Sequence, residues 1–130
     1  MRYLKYILIA LIIAAAAYIR PPAPEIWETK TDKQASVTIA VTPLDVSEGS
    51  AEWTFEVVMD THSVELEQDM TEVAALVDSG GNEYKPIRWE GPAGGHHRGG
   101  SLVFSPIRPR PQSFELRIVG IGDIARSFVW

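Results

Sequence analysis

Apolar and polar residues alternate along several short segments of the chain, and this alternation most constrains the fold. In segment 53–59 (WTFEVVM) every second residue is large and apolar. Segments 37–41 and 114–118 show the same period of two. A period of two places one face of a strand in a core and the other in solvent, whereas a helix repeats every 3.6 residues. The sequence therefore predicts an all-β fold.

The predicted strands follow one another at the spacing of a β-sandwich. We expect about seven strands in an immunoglobulin-like antiparallel sandwich, with a small barrel as the alternative. Pro43 should end the first strand, because proline cannot donate to a sheet. No helix is expected beyond the N-terminal segment. The predicted strands are 37–42, 52–59, 71–77, 83–87, 101–105, 114–119 and 124–130.

The first 20 residues differ from the rest of the chain. Arg2 and Lys5 precede an uncharged 14-residue run from Tyr6 to Ile19. With small residues at 15–17, this is typical of a cleaved signal peptide. Extended back to Tyr3, the run has 17 residues, the short end of a membrane-spanning length. We favour this signal-anchor slightly, because the run has no break before the alanines. Either reading predicts an extracytoplasmic domain, membrane-anchored or secreted after cleavage.

A proline-rich segment follows the hydrophobic run. Residues 21–34 (PPAPEIWETKTDKQ) contain three prolines near their start, which favour an extended conformation. We expect a linker that holds the domain away from a membrane, and a sandwich domain over residues 35–130.

The charge balance excludes one class of partner. Three of the 12 basic residues precede Pro21, so the remainder carries 9 basic and 17 acidic residues, a net charge of −8. Nucleic acid is therefore not an expected partner, because phosphate backbones call for a basic face. The chain has no cysteine, which excludes disulfides and thiolate metal sites. We expect a monomer, with a protein partner or the membrane as its neighbours.

The three histidines occur in two unusual places. His62 follows the strongest strand, in the sequence MDTHS, and His96 and His97 lie in the glycine-rich segment 89–100 (WEGPAGGHHRGG). If the strand continues past Asp60, Asp60 and His62 share a face, and the glycines would let the loop fold over that face. Imidazole and carboxylate ligands suit Zn²⁺ or Cu²⁺. Asp60, His62, His96 and His97 are therefore the candidate metal ligands.

Three observations weigh against a metal. His96 and His97 should point in opposite directions in an extended segment, Arg98 would repel a cation, and no His-x-His spacing is present. In the alternative interpretation, the histidines bond to carboxylates or backbone and only pin the loop of a structural or protein-interaction sandwich. An enzyme is not expected, because neither a nucleophile elbow nor a phosphate-binding loop occurs.

The motif order resembles a set of uncharacterised exported prokaryotic β-sandwich proteins. In these, Asp-Thr-His-Ser is followed by an acidic stretch, Gly-x-Glu-Tyr-x-Pro, tryptophan and Gly-Gly-His-His. The matching residues are 60–63, 81–86, Trp89 and 94–97, a span of about 40 residues. The resemblance implies that the two histidine segments belong to one feature. Copper-carrying periplasmic sandwiches are more distantly similar, but their N-terminal histidine is missing here, so that likeness concerns the fold alone.

Overall fold

Two antiparallel sheets pack face to face in the computed structural model, which describes residues 23–130. The five-stranded sheet has the order β1-β2-β3-β7-β6 and the four-stranded sheet the order β5-β4-β8-β9. The predicted all-β sandwich is confirmed. The predicted N-terminal helix lies outside the described residues. Within residues 23–130, no helix has the length and apolarity needed to cross a membrane. The elements are β1 (Lys30–Gln34), β2 (Val37–Asp45), β3 (Trp53–Thr61), α1 (Met70–Val73), β4 (Ala74–Asp78), β5 (Glu83–Tyr84), β6 (Arg88–Glu90), β7 (His97–Phe104), β8 (Phe114–Ile118) and β9 (Arg126–Val129).

The alternating apolar residues form the core between the sheets. β3 alternates buried and more exposed residues from Trp53 to Thr61, as its sequence predicts. At one end of the sandwich Phe55 and Phe114 have ring centroids 6.0 Å apart, and Trp53 donates its indole N–H to the carbonyl of Ser47 at 2.8 Å. Burying such rings contributes a large share of the hydrophobic stabilisation.

The described residues form nine strands rather than the predicted seven, and the two additional strands are β1 and β6. β1 occupies residues that the sequence assigned to the linker. It pairs with β2 across a tight turn at Ala35 and Ser36, which have φ of 52° and 62°. Two consecutive positive φ values are typical of a type I′ hairpin, normally signalled by Asn-Gly, and Ala-Ser gives no such signal.

Two other predicted boundaries were wrong. Pro43 does not end its strand: it lies opposite Phe55, and a register shift between Pro43 and Asp45 accommodates it. The predicted strand 71–77 begins instead with the short helix α1, because the Asp69 carboxylate accepts the N–H of Thr71 at 2.9 Å and caps it. The second additional strand, β6, lies in the glycine-rich segment and is described with the candidate site.

A buried arginine closes one side of the sandwich. Arg126 of β9 is 1% exposed and pairs with Asp32 of β1 at 2.7 Å. Its guanidinium also donates to the carbonyls of Gln34, Val37 and Ile121 at 2.9–3.1 Å. The arginine therefore ties the last strand to the first hairpin across the two sheets.

We predict that Arg126→Leu lowers the free energy of unfolding by about 3–5 kcal/mol, because it leaves the Asp32 charge and three carbonyls without their donor. Urea denaturation of the full chain measures this loss. Arg117→Leu, which removes ion pairs on the exposed face of β8, should change stability little. Equal losses in the two variants would contradict this role for Arg126.

Candidate functional site

The candidate ligands gather at one end of the sandwich, where β3 ends and β7 begins. Asp60 and His97 are cross-strand partners, and Thr61 donates its backbone N–H to the carbonyl of His96 at 3.0 Å. We call Asp60, His62, Glu65, His96 and His97 the histidine-bearing end. The two histidine segments therefore belong to one feature, as the motif order implied.

Asp60 and His97 form a direct side-chain pair. Nδ1 of His97 faces Oδ1 of Asp60 within hydrogen-bonding distance. The His97 side chain is 74% exposed, so an ion pair here would contribute little to stability. The contact leaves Nε2 of His97 outside the pair. Asp60 thus orients the ring of His97.

His96 points to a different carboxylate. Its Nε2 lies 3.0 Å from Oε1 of Glu65, while its neighbour His97 pairs with Asp60. The expected divergence of His96 and His97 is confirmed. The backbone beside His96 is held as well, because Leu66 donates its N–H to the carbonyl of Gly95 at 3.2 Å.

His62 lies just outside the strand that was expected to carry it. β3 ends at Thr61, whose hydroxyl donates to the carbonyl of Ser36 at 2.8 Å and accepts the N–H groups of Ser63 and Val64. These bonds turn the chain, so His62 does not continue the face of Asp60. In residues 23–130, no three His, Asp or Glu side chains converge as a metal site would require. The four predicted ligands therefore lie at the same end of the sandwich, but they do not form one coordination cluster.

Arg98 braces this end, a role that sequence reasoning missed. It is 2% exposed and donates to the carbonyls of Pro92 at 2.7 Å, Gln68 at 2.6 Å and Leu66 at 3.3 Å. Burial lowers the pKa of the guanidinium, and the Asp69 carboxylate opposes that effect, but arginine stays charged. The Arg98 side chain faces inward, away from His97, so it does not confront a cation at the exposed face.

The glycine-rich segment is shaped by packing around Trp89. A Cβ at Gly91 or Gly100 would come within 2.8 Å of the indole ring. The Trp89 indole N–H donates to the carbonyl of Pro92 at 3.0 Å, and Arg98 lies over the ring at 5.4 Å. The predicted loop 89–100 is therefore two strands, β6 and β7, joined by a turn. Gly91 and Gly100 are therefore explained by close packing against Trp89, and not by a flexible loop that folds over an ion.

Trp89 also lines a groove on the side opposite Arg126. The groove has a volume of about 520 Å³, and its walls include Met70, Ile87, Trp89 and Arg98. The ring of Trp89 reaches the histidine segment through Arg98, which lies over the ring and follows His97 in the chain. Because its ring is enclosed by Gly91, Gly100 and Arg98, it supports the turn more than it covers a ligand site.

Fold and site together define an antiparallel β-sandwich that presents histidine–carboxylate pairs on a braced turn. No protein-family model matches the chain, and no curated protein matches it. Among solved structures it is similar to MPT63, a secreted protein from Mycobacterium tuberculosis, with 16% identity and a TM-score of 0.43. The match covers 88% of this chain and 98% of that one. The sheets described above establish the fold, and the likeness is too distant to assign a role.

We predict that Arg98→Met lowers the free energy of unfolding by roughly 3 kcal/mol, because three carbonyls lose a charged donor. Hydrogen exchange should quicken most at the amides of Thr61 and Leu66, which bond to the turn. His97→Gln, which removes only an exposed partner, is the matched control. Unchanged exchange at both amides in Arg98→Met would contradict the brace.

Neighbouring glycines test the packing explanation. At Gly100 an added Cβ would lie 2.5 Å from the carbonyl oxygen of Glu90, whereas at Gly99 its nearest neighbour is Cγ2 of Val58 at 3.9 Å. Gly100→Ala should therefore lower the unfolding free energy by about 1–3 kcal/mol, with Gly99→Ala near wild type. Thermal unfolding followed by Trp fluorescence gives the comparison. Similar melting temperatures for the two variants would show that the segment needs no close packing.

Proposed function

We propose that this chain is an exported, membrane-tethered and non-catalytic β-sandwich binding module whose recognition surface is the histidine-bearing end. The N-terminal run of the sequence supports export and tethering. Binding residues typically lie on loops held by a rigid scaffold. Here Arg98 and Trp89 supply the rigidity, and the exposed imidazoles supply the chemistry.

The proposed ligand is a transition-metal ion, Zn²⁺ or Cu²⁺, held by Nε2 of His97 and by His62. The Asp60–His97 contact is the observation that supports it. Metal-ligating histidines commonly bond their other nitrogen to a carboxylate, which fixes the ring and raises its basicity. Asp60 would therefore orient a ligand, and His62 would reach the ion after a rotation of its exposed side chain.

A site with two protein ligands leaves coordination positions open. Such a site binds loosely compared with a closed structural zinc site. His96 contributes no ligand in this proposal, because it points to Glu65.

The second candidate is a structural or protein-interaction sandwich in which the histidines only pin the turn. The His96–Glu65 contact and the carbonyl bonds of Arg98 favour it, because they already hold the turn without an ion. The two candidates differ in what the histidines contribute to stability and in whether they bind metal.

We expect the full chain in detergent to bind one Zn²⁺ or Cu²⁺ by calorimetric titration. His62→Ala and His97→Gln should abolish binding with little loss of stability, and Asp60→Asn should weaken it about tenfold. His96→Ala is the matched control and should bind as wild type does.

Absence of binding by the unaltered chain would reject the metal and leave the structural candidate. The same conclusion would follow if His62→Ala melted the domain in the absence of metal.

A further inference from the structure

The segment between the N-terminal run and β1 is attached to the sandwich. Arg110 donates to both carboxylate oxygens of Glu25 at 2.7 and 2.8 Å, and its guanidinium lies over the ring of Trp27 at 5.4 Å. Trp27 meets Phe114 edge to face at 5.5 Å. We call residues 23–28 the connector. It is held against the domain and does not act as a free spacer.

The connector lies at the end of the sandwich opposite the histidines. Trp27 contacts Phe114, and Phe114 contacts Trp53, the first residue of β3, at 6.0 Å. Asp60 lies seven residues further along β3. At about 3.3 Å per residue this separation is roughly 23 Å.

Large apolar side chains face solvent beside the connector. Ile26 is 98% exposed and Leu44 is 51% exposed. Ile26 lies between Glu25 and Trp27, which are both held, so its backbone cannot easily turn it inward. A recess of about 350 Å³ lies between the connector and the end of β2. Its lining is mixed: the apolar part is Ala23, Pro24, Trp27, Leu44 and Val46, and the polar part is Glu25, Asp45 and Ser47. Ile26 and Leu44 are therefore apolar side chains left in solvent beside the recess, on a domain that is otherwise acidic.

Chain length limits how far this end can stand from the N-terminal run. The run ends at Ile19, and only Arg20, Pro21 and Pro22 separate it from Ala23. Four residue steps span at most about 14 Å when fully extended. An anchor formed by the run would therefore keep the connector-bearing end beside the lipid headgroups.

We infer that the connector-bearing end lies against the lipid surface, with Ile26 and Leu44 in the membrane interface and the histidine-bearing end pointing away. This inference rests on the proposed membrane tether. The contact is apolar rather than electrostatic. Glu25 is neutralised by Arg110, and the sequence from Pro21 onward has a net charge of −8, so anionic lipid offers no attraction. Side chains in this position enter the interface by about 5–10 Å.

The absence of cysteine allows single-cysteine labelling. We would place a bimane probe at Ile26→Cys, Leu44→Cys and Ser63→Cys in the full chain, reconstituted into phosphatidylcholine vesicles that carry nitroxide-labelled lipid. Ser63 lies at the far end, and its side chain makes no hydrogen bond within residues 23–130. We expect at least about twofold stronger quenching at positions 26 and 44 than at position 63. Added phosphatidylglycerol should not increase it.

A charge substitution provides a second measurement. Ile26→Asp should reduce quenching of the probe at position 44, because the aspartate would leave the interface. Val119→Asp is the matched control, since Val119 is 41% exposed and follows β8 at the far end. It should leave the quenching at position 44 unchanged.

The outcomes separate the orientation from the tether. Equal, weak quenching at all three positions in a chain that stays with the vesicles through a carbonate wash would overturn the orientation and keep the tether. Release of the chain by the wash would overturn the tether and the orientation that depends on it.

Discussion

The contact between the Arg98 guanidinium and three backbone carbonyls organises the histidine-bearing end. Its donors reach Leu66, Gln68 and Pro92, which belong to two segments that would otherwise be separate loops. A buried arginine bonded only to carbonyls is costly unless every donor is placed well, so the backbone around it has little freedom. The exposed histidines owe their fixed positions to this inward-facing neighbour. Arg98, which fixes the backbone, and His97, which carries an exposed imidazole, are therefore adjacent residues on opposite faces of β7.

The molecule is polarised from end to end. Aromatic rings, the exposed Ile26 and the connector with its Glu25–Arg110 pair occupy one end, whereas the three histidines occupy the other. The strands between them, β3 and β7, have nine and eight residues. In the proposed orientation a tethered domain would hold its reactive surface about one domain length from the bilayer, without any flexible spacer.

Period-two alternation predicted β3 and β8 and most of β2 correctly because it records burial, and burial decides those segments. The same signal failed where local geometry decides. Ala35 and Ser36 form a tight turn without its usual residues, so β1 was assigned to the linker. At residues 70–73 the Asp69 cap outweighs a strand-like pattern. The site was predicted in part: the pairing of the two histidine segments followed from the motif order, and the divergence of His96 and His97 followed from strand geometry. The brace could not be foreseen, because nothing in the sequence distinguishes an arginine that turns inward from one in solvent.

Buried guanidinium groups give this chain a form of cross-linking. Arg126 joins the first hairpin to the last strand, and Arg98 joins the turn between β6 and β7 to the segment before α1. Small exported domains often use disulfides for such joints, but this sequence has no cysteine. Hydrogen-bonded arginine joints form as soon as the chain folds and need no oxidant. The domain can therefore reach the same structure in a reducing or an oxidising compartment, and its integrity is insensitive to the thiol chemistry around it.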